Sequence, residues 1–188
     1  MLPALKKPEK NNKKAFSLIE LFIVFTLIFL TLSISIPNIG FFEKQTLKRE
    51  TQKLFSVLEF LRKKAIATNK NQSLILDIEQ NKYTYKRTKN GFAQNKLSTN
   101  IIFGFLENIK GPPSSPKKII KKATTFPKIK DSVAKYIITF FNDGKISCGT
   151  LYLTNKKKTF MKAITCPISQ VSLIRKYQLV ENSKWALQ

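Results

Sequence analysis

The sequence contains no histidine and only two cysteines among its 188 residues. Histidine is the commonest general base and the commonest metal ligand, so its absence argues against histidine-based catalysis and against an ordinary zinc site. The chain also has no glycine-rich phosphate loop and no nucleophile elbow. Acidic residues are scarce, and those beyond residue 70 lack the spacing of a catalytic carboxylate pair. We therefore expect neither an enzyme nor a bound cofactor or metal.

Positive charge dominates the composition. The chain has 34 lysine and arginine residues against 11 acidic residues, which gives a formal net charge of +23 at pH 7. Almost all of these cations are lysines, a bias that codon composition can produce without selection for a ligand. A field of this size nevertheless favours anionic partners, such as nucleic acid, lipid headgroups or other polyanions.

One long apolar run, Phe16–Ile36, contains a single ionisable residue, Glu20. As a helix this run is about 31 Å long, which is enough to cross the hydrocarbon core of a bilayer. Lysines crowd the residues before it, which favours a cytoplasmic N-terminus and places the rest of the chain outside the inner membrane. The plain interpretation is a membrane anchor that tolerates one acidic residue, although a carboxylate within a membrane helix costs about 2.5–3.5 kcal/mol.

The start of this run supports a more specific interpretation. A small residue, Ala15, precedes Phe16, Glu20 is the fifth residue counted from Phe16, and Pro37 is the twenty-second. This pattern resembles the processing site of type IV prepilins and pseudopilins, in which a membrane peptidase cuts before the phenylalanine and methylates the new amino terminus. The resemblance implies cleavage between Ala15 and Phe16 and N-methylation of Phe16. The family prefers glycine before the cut, whereas this chain has Ala15.

The resemblance also implies a role for Glu20 in subunit assembly. In the family this carboxylate faces the cationic amino terminus of a neighbouring subunit, and the pairing offsets the cost of burying each charge alone. The amine exists only after cleavage, so assembly is coupled to processing. The implied partners are the prepilin peptidase, the inner membrane and other major and minor pseudopilins.

The apolar run divides the chain into four predicted regions. They are a leader peptide (1–15), a transmembrane and assembly helix (16–36), an amphipathic continuation of the helix (37–70) and a β-rich periplasmic domain (71–188). Pro37 has no backbone N–H, so we expect it to kink the helix. The continuation carries an apolar stripe of helical period that predicts packing on a sheet. The stripe consists of Leu47, Leu54, Leu58, Leu61 and Ala65, widened by Phe55 and Ile66.

Beyond residue 71 the apolar period changes to two, which predicts strands. Asp77 alternates with Leu76 and Ile78, so it is predicted to face solvent. The fold class is α+β, with a long N-terminal helix packed on an antiparallel β-sheet, in the pilin-like arrangement that the resemblance implies. The predicted strands are Ser73–Ile78, Lys82–Arg87, Asn100–Phe105, Lys135–Phe141, Ile146–Thr154, Lys158–Cys166 and Val171–Gln178.

A turn at Asn142-Asp143-Gly144 extends the resemblance to the C-terminal half of the chain. It is similar to the strand–Asp-Gly–strand pattern of the H-type minor pseudopilins of type II secretion systems, and of pilus relatives that share this domain. The Gly-Arg pair of the family's last strand is not reproduced around Arg175. The resemblance implies a non-enzymatic subunit of the periplasmic pseudopilus that drives protein export.

The two cysteines allow a geometric prediction. If their strands pair around a three-residue loop, Asn155 opposes Thr159, and Cys148 opposes Cys166. Directly opposed residues have Cβ atoms about 4.5–5.5 Å apart, which is close to the spacing in a disulfide. An oxidising compartment permits this bond, and two free thiols are the alternative.

The proline-rich segment from Lys110 to Lys130 contains seven lysines and no acidic residue. A solvated surface loop is the plain interpretation. The alternative is a minor type IV pilin that binds the DNA backbone during DNA uptake. Tyr83, Tyr85 and Tyr136 are the tyrosines considered for stacking on bases. The predicted DNA-binding residues are Lys117, Lys118, Lys121, Lys122, Lys128 and Lys130.

Overall fold

The computed structural model describes residues 17–35, 39–88, 91–130, 132, 134–168, 173–180 and 184–188. The chain divides into two compact units, a first that ends at Asn38 and a second, Ile39–Gln188. The described part of the first unit is helix α1 (Leu18–Ser35), and the second unit begins with helix α2 (Ile39–Thr68). The strands described after α2 are β1 (Gln72–Asp77), β2 (Lys82–Lys86), β3 (Phe92–Lys96), β4 (Ile101–Phe103), β5 (Lys135–Phe140), β6 (Gly149–Asn155), β7 (Met161–Cys166), β8 (Arg175–Val180) and β9 (Lys184–Leu187).

The strands form two antiparallel sheets. The first sheet has the order β3-β2-β1-β5, and the second has the order β4-β6-β7-β8-β9. The α+β class, with a long helix and antiparallel pairing, is therefore confirmed, although two sheets replace the single predicted one. The division arises because β5 returns to pair with β1, with Leu74 opposite Ile138, whereas β6 pairs with β4 and β7.

Helix α2 supplies one side of the main hydrophobic core. The five predicted stripe residues, Leu47, Leu54, Leu58, Leu61 and Ala65, are each 1% exposed or less. Phe55 is half-buried and packs against the core, as predicted. The prediction for Ile66 is wrong, because its side chain is 49% exposed. It lies beside the main stripe in the last turn of the helix, next to a fully buried Ala65.

Both sheets contribute inward-facing residues to this core. Leu74 and Leu76 enter it from β1, and Leu151 and Leu153 enter it from β6. A second, smaller cluster forms on the other face of the second sheet and contains Tyr152, Met161, Ala163, Tyr177 and Ile120. All residues of β7 are buried because both faces of the strand are covered.

The prediction that Asp77 faces solvent is wrong. Asp77 is only 6% exposed, and its Oδ1 accepts a hydrogen bond of 2.9 Å from the backbone N–H of Gln80. The residue ends β1, so its carboxylate satisfies the following turn. The predicted turn at Gly144 is confirmed, since this residue has φ 85° and Asp143 Oδ1 accepts the N–H of Lys145.

Candidate assembly interface

A capping box begins helix α1. The Ser17 hydroxyl oxygen accepts a hydrogen bond of 3.3 Å from the N–H of Ile19. The Glu20 carboxylate reaches back, and its Oε2 accepts a bond of 2.9 Å from the N–H of Ser17. These reciprocal contacts satisfy two of the donors that every helix start leaves free. Glu20 therefore has a structural role within its own chain.

The apolar surface of α1 is uncovered in the single chain. Every described side chain from Ser17 to Leu32 is exposed. The exposed fraction reaches 84% at Leu18 and 67% at Phe29. Apolar surface of this extent, on all sides of a helix, is typical of segments that lipid or other helices cover.

Several sequence predictions fall at the edges of the described helix. Ala15 and Phe16, the predicted cleavage and methylation residues, and Pro37, the predicted kink, lie outside the described residues. Within the described residues, no helix is both long enough and apolar enough to pass through a membrane. The transmembrane segment thus stays a prediction.

A polar anchor joins α2 to the hairpin between β6 and β7. Asn155 is fully buried, and its Nδ2 donates to Glu43 Oε2 at 2.6 Å and to Thr159 Oγ1 at 2.8 Å. Its Oδ1 accepts the backbone N–H groups of Thr159 and Phe160. The Glu43 Oε1 pairs with Lys157 Nζ at 3.2 Å. The hydrogen bond from Asn155, with the help of Lys157, lowers the pKa of the Glu43 carboxyl.

The predicted pairing of the two cysteines rests on a register that is wrong by one residue. Gly149, and not Cys148, lies opposite Cys166. Neither cysteine is bonded to another, and Cys148 is exposed whereas Cys166 is buried. Burial, together with the nearby Cys148 and Glu59, raises the pKa of the Cys166 thiol to about 12. The geometric argument for the disulfide therefore fails.

The lysine-rich segment is more ordered than a free loop. Ile120, Thr124 and Phe126 are buried, and the N–H of Tyr152 in β6 donates to the carbonyl of Ala123. All six lysines predicted to bind DNA are exposed: Lys117, Lys118, Lys121, Lys122, Lys128 and Lys130. None of them forms an ion pair with the described residues.

The tyrosines considered for base stacking belong to the core. Tyr83 is 3% exposed, and burial raises its pKa to about 12. Tyr85 and Tyr136 are half-buried and pack against the core. These three side chains therefore do not form a stacking surface. Nucleic-acid binding stays a prediction that rests on positive charge alone.

No protein-family model and no curated protein matches the chain. The chain is similar to two solved structures of the minor pseudopilin EpsH from the type 2 secretion system of Vibrio cholerae. The first is 13% identical, covers 75% of this chain and 94% of its own, and has a TM-score of 0.41. The second is 16% identical, covers 77% of this chain and 97% of its own, and also has a TM-score of 0.41.

Two structural features, the cap of α1 and an inward-facing lysine in β7, match patterns that are visible in the sequence. The order Ser17-Leu18-Ile19-Glu20, at the start of the apolar run, is the pattern of a capping box. Lys162 stands on the same face of β7 as Ile164 and Cys166, which places a lysine at an inward position. The bond between Asn155 and Glu43 has no such signal, because it joins residues 112 positions apart. Among the described residues, no group of three or more histidine, cysteine or acidic side chains could hold a metal ion.

Proposed function

We propose that the chain is a minor pseudopilin, of the H type found in type II secretion systems. Its N-terminal helix assembles with those of other pseudopilins into the periplasmic pseudopilus that drives protein export. The observation that carries the proposal is helix α1, which is apolar and exposed on all sides and has one carboxylate, Glu20, in its first turn. Such a helix suits burial among similar helices, where close packing drives association.

The two oxygens of Glu20 support a role between subunits. Oε2 accepts the N–H of Ser17, whereas Oε1 accepts no hydrogen bond from any described residue. In the proposed mechanism, a prepilin peptidase cuts between Ala15 and Phe16 and methylates the new amine of Phe16. The amine of one subunit then meets Glu20 Oε1 of its neighbour. Since each charge is costly to bury alone, the pair forms only after processing.

The lysines before residue 15 and the apolar segment after them support a location in the inner membrane, with the rest of the chain in the periplasm. The lysines before residue 15 keep the N-terminus cytoplasmic, residues 16–36 cross the inner membrane before assembly, and residues 71–188 lie in the periplasm. The second unit then serves as the folded head of the subunit. Its core is built from α2 and both sheets, so it does not need α1 to bury its apolar residues.

N-terminal sequencing and mass measurement of the membrane-derived protein test the proposal. The full chain is expressed with and without a prepilin peptidase. We expect a methylated Phe16 at the N-terminus when the peptidase is present, and Met1 when it is absent. The variant Ala15→Gly, which carries the residue that the family prefers, is the matched control and should be cut at least as fast. If the parent chain and the Ala15→Gly variant both still begin at Met1 when an active peptidase is present, the proposal is wrong.

A further inference from the structure

A buried lysine stands at the junction of α2 and the second sheet. Lys162 of β7 is 2% exposed and faces the helix, and its Nζ donates to Gln188 Oε1. The Gln188 side chain in turn donates to Gln178 Oε1 at 2.6 Å. Gln178 lies opposite Lys162 in the register of β7 and β8. The ammonium group therefore donates to one neutral amide, that of Gln188, which does not balance its charge.

Two further lysines share the same cavity. Lys176 of β8 donates to Gln52 Oε1 at 2.6 Å and lies over the ring of Phe55, 4.4 Å from its centroid. Lys48 approaches from α2 and forms no ion pair with any described residue. The cavity measures about 260 Å³, and its lining contains three lysines and no acidic side chain: Lys48, Thr51, Gln52, Lys162, Lys176, Leu187 and Gln188.

The arrangement holds like charges close together around a buried ammonium group. Burial lowers the pKa of Lys162 to about 8, and the like charges of Lys48, Lys176 and Lys44 add to the effect. The ammonium still carries its proton at pH 7. A buried cation normally has an anionic partner, because unpaired charge is costly in a medium of low dielectric constant.

We infer that this cavity binds a phosphate group, with Lys48, Lys162 and Lys176 as its cationic ligands. Lysine ammonium groups bind phosphate as point charges, and three of them here surround one small space. Gln52 and Thr51 add polar atoms to the lining. The site lies wholly within the second unit, so it does not depend on the assembly role proposed for α1.

The binding should depend on pH through Lys162. The charged groups that face it are Lys44 and Lys48 from α2 and Lys176 from β8. Its neighbour on β6 is the apolar Leu153. Because the pKa of Lys162 is about 8, loss of its proton should weaken binding between pH 8 and pH 10, a range in which inorganic phosphate stays a dianion.

Calorimetric titration of the full chain in a nonionic detergent with inorganic phosphate, at constant ionic strength, tests the site. Lys48→Gln removes an exposed cation of the cavity without disturbing the core, and we expect it to weaken phosphate binding about fivefold to tenfold. Lys162→Met keeps the length of the side chain without its charge and should weaken binding more strongly. The matched control is Lys63→Gln, which removes an exposed lysine elsewhere on α2 and should leave the affinity within about twofold of the parent.

Two other titrations distinguish the sources of the anion. Glycerol 3-phosphate should bind about as well as inorganic phosphate if an esterified phosphate fits the cavity, and more weakly if only the free ion fits. Either result agrees with a phosphate site. Acetate or glutarate binding more tightly than phosphate would assign the cavity to a carboxylate and overturn the inference. It is also overturned if phosphate does not bind, or if Lys63→Gln weakens binding as much as Lys48→Gln.

Discussion

At the scale of single residues, Glu20 has two separable roles. Its carboxylate completes a capping box with Ser17, and the proposed assembly uses its charge to meet the amine of a neighbouring subunit. A glutamine at this position can also accept the N–H of the capping residue, but it carries no charge. The two roles therefore predict different outcomes for conservative substitutions.

We predict that Glu20→Gln and Glu20→Ala both reduce incorporation into filaments strongly, because each removes the charge that the neighbouring amine requires. Ser17→Ala keeps this charge and loses the cap, which costs about 0.5–2 kcal/mol of helix stability. Ser17→Ala should therefore have a less stable helix α1 and should still assemble. Incorporation is measured by the amount of each variant that co-purifies with pseudopilus filaments isolated from the periplasm, at equal membrane levels. Assembly of Glu20→Gln at the parental level would leave Glu20 with the capping role alone.

At the scale of secondary-structure elements, the anchor between Glu43 and Asn155 fixes α2 against the hairpin of β6 and β7. The Asn155 side chain makes four hydrogen bonds while fully buried, whereas Lys157 reaches the same Glu43 carboxylate from solvent with a side chain that is 62% exposed. A buried polar group that loses its partners is costly, and an exposed ion pair contributes little. The buried amide should therefore account for most of the stability of the anchor.

We predict that Asn155→Ala lowers the free energy of unfolding by about 2–4 kcal/mol, because it leaves two backbone N–H groups and a carboxylate without their partner. Lys157→Gln, which removes only the exposed ion pair, should cost less than about 1 kcal/mol. Urea unfolding at pH 7 measures both. Equal losses for the two variants would show that the ion pair, and not the amide, holds the hairpin.

The anchor also predicts a pH effect with a definite sign. Its contacts lower the pKa of Glu43 in the folded state below the ordinary value. The stability that Glu43 contributes is therefore present above that ordinary value and is lost as the pH falls through the folded-state pKa. Asn155→Ala removes the main cause of the shift, so its unfolding free energy should decrease less than that of the parent between pH 6 and pH 3.

The elements also show what sequence can and cannot specify. The buried stripe from Leu47 to Ala65 follows from helical spacing alone, and the structure confirms it. The register of β6 and β7 depends instead on the intervening loop, in which Asn155 binds two N–H groups and Lys158 has φ 53°. This loop is longer than the predicted one, and a shift of one residue places Gly149 where Cys148 was expected.

The pairing of strands that are far apart in the chain cannot be predicted from local sequence patterns either. The partnership of β1 with β5 joins segments about 60 residues apart, and the split into two sheets follows from it. β3 was missed because its sequence, Phe92–Lys96, is mostly polar, as suits an edge strand. In the candidate site, the apolar run and Glu20 were evident from composition. The cavity lined by Lys48, Lys162 and Lys176 was not evident, because these lysines belong to three separate elements, α2, β7 and β8.

At the scale of the whole molecule, the dominant property is unbalanced positive charge. The net charge is +23, and the described residues form five ion pairs, each with at least one side chain that is partly exposed to water. The attraction within these few pairs does not balance the repulsion among the many lysines that lack an acidic partner. The compact state is therefore destabilised by its own field.

We predict that the midpoint of thermal unfolding rises with sodium chloride. Raising ionic strength from about 0.01 M to 0.15 M shortens the Debye length from about 30 Å to 8 Å, so lysine–lysine repulsion is screened more than short ion pairs. A gain of about 1 kcal/mol would raise the midpoint by about 2–4 °C in a chain of this size. Calorimetry of the full chain in nonionic detergent measures the effect. A variant with Lys117, Lys118, Lys121 and Lys122 changed to glutamine has four fewer exposed cations and should gain less from salt. A midpoint that falls with salt would mean that the attraction within the ion pairs outweighs the lysine–lysine repulsion, which would contradict the prediction.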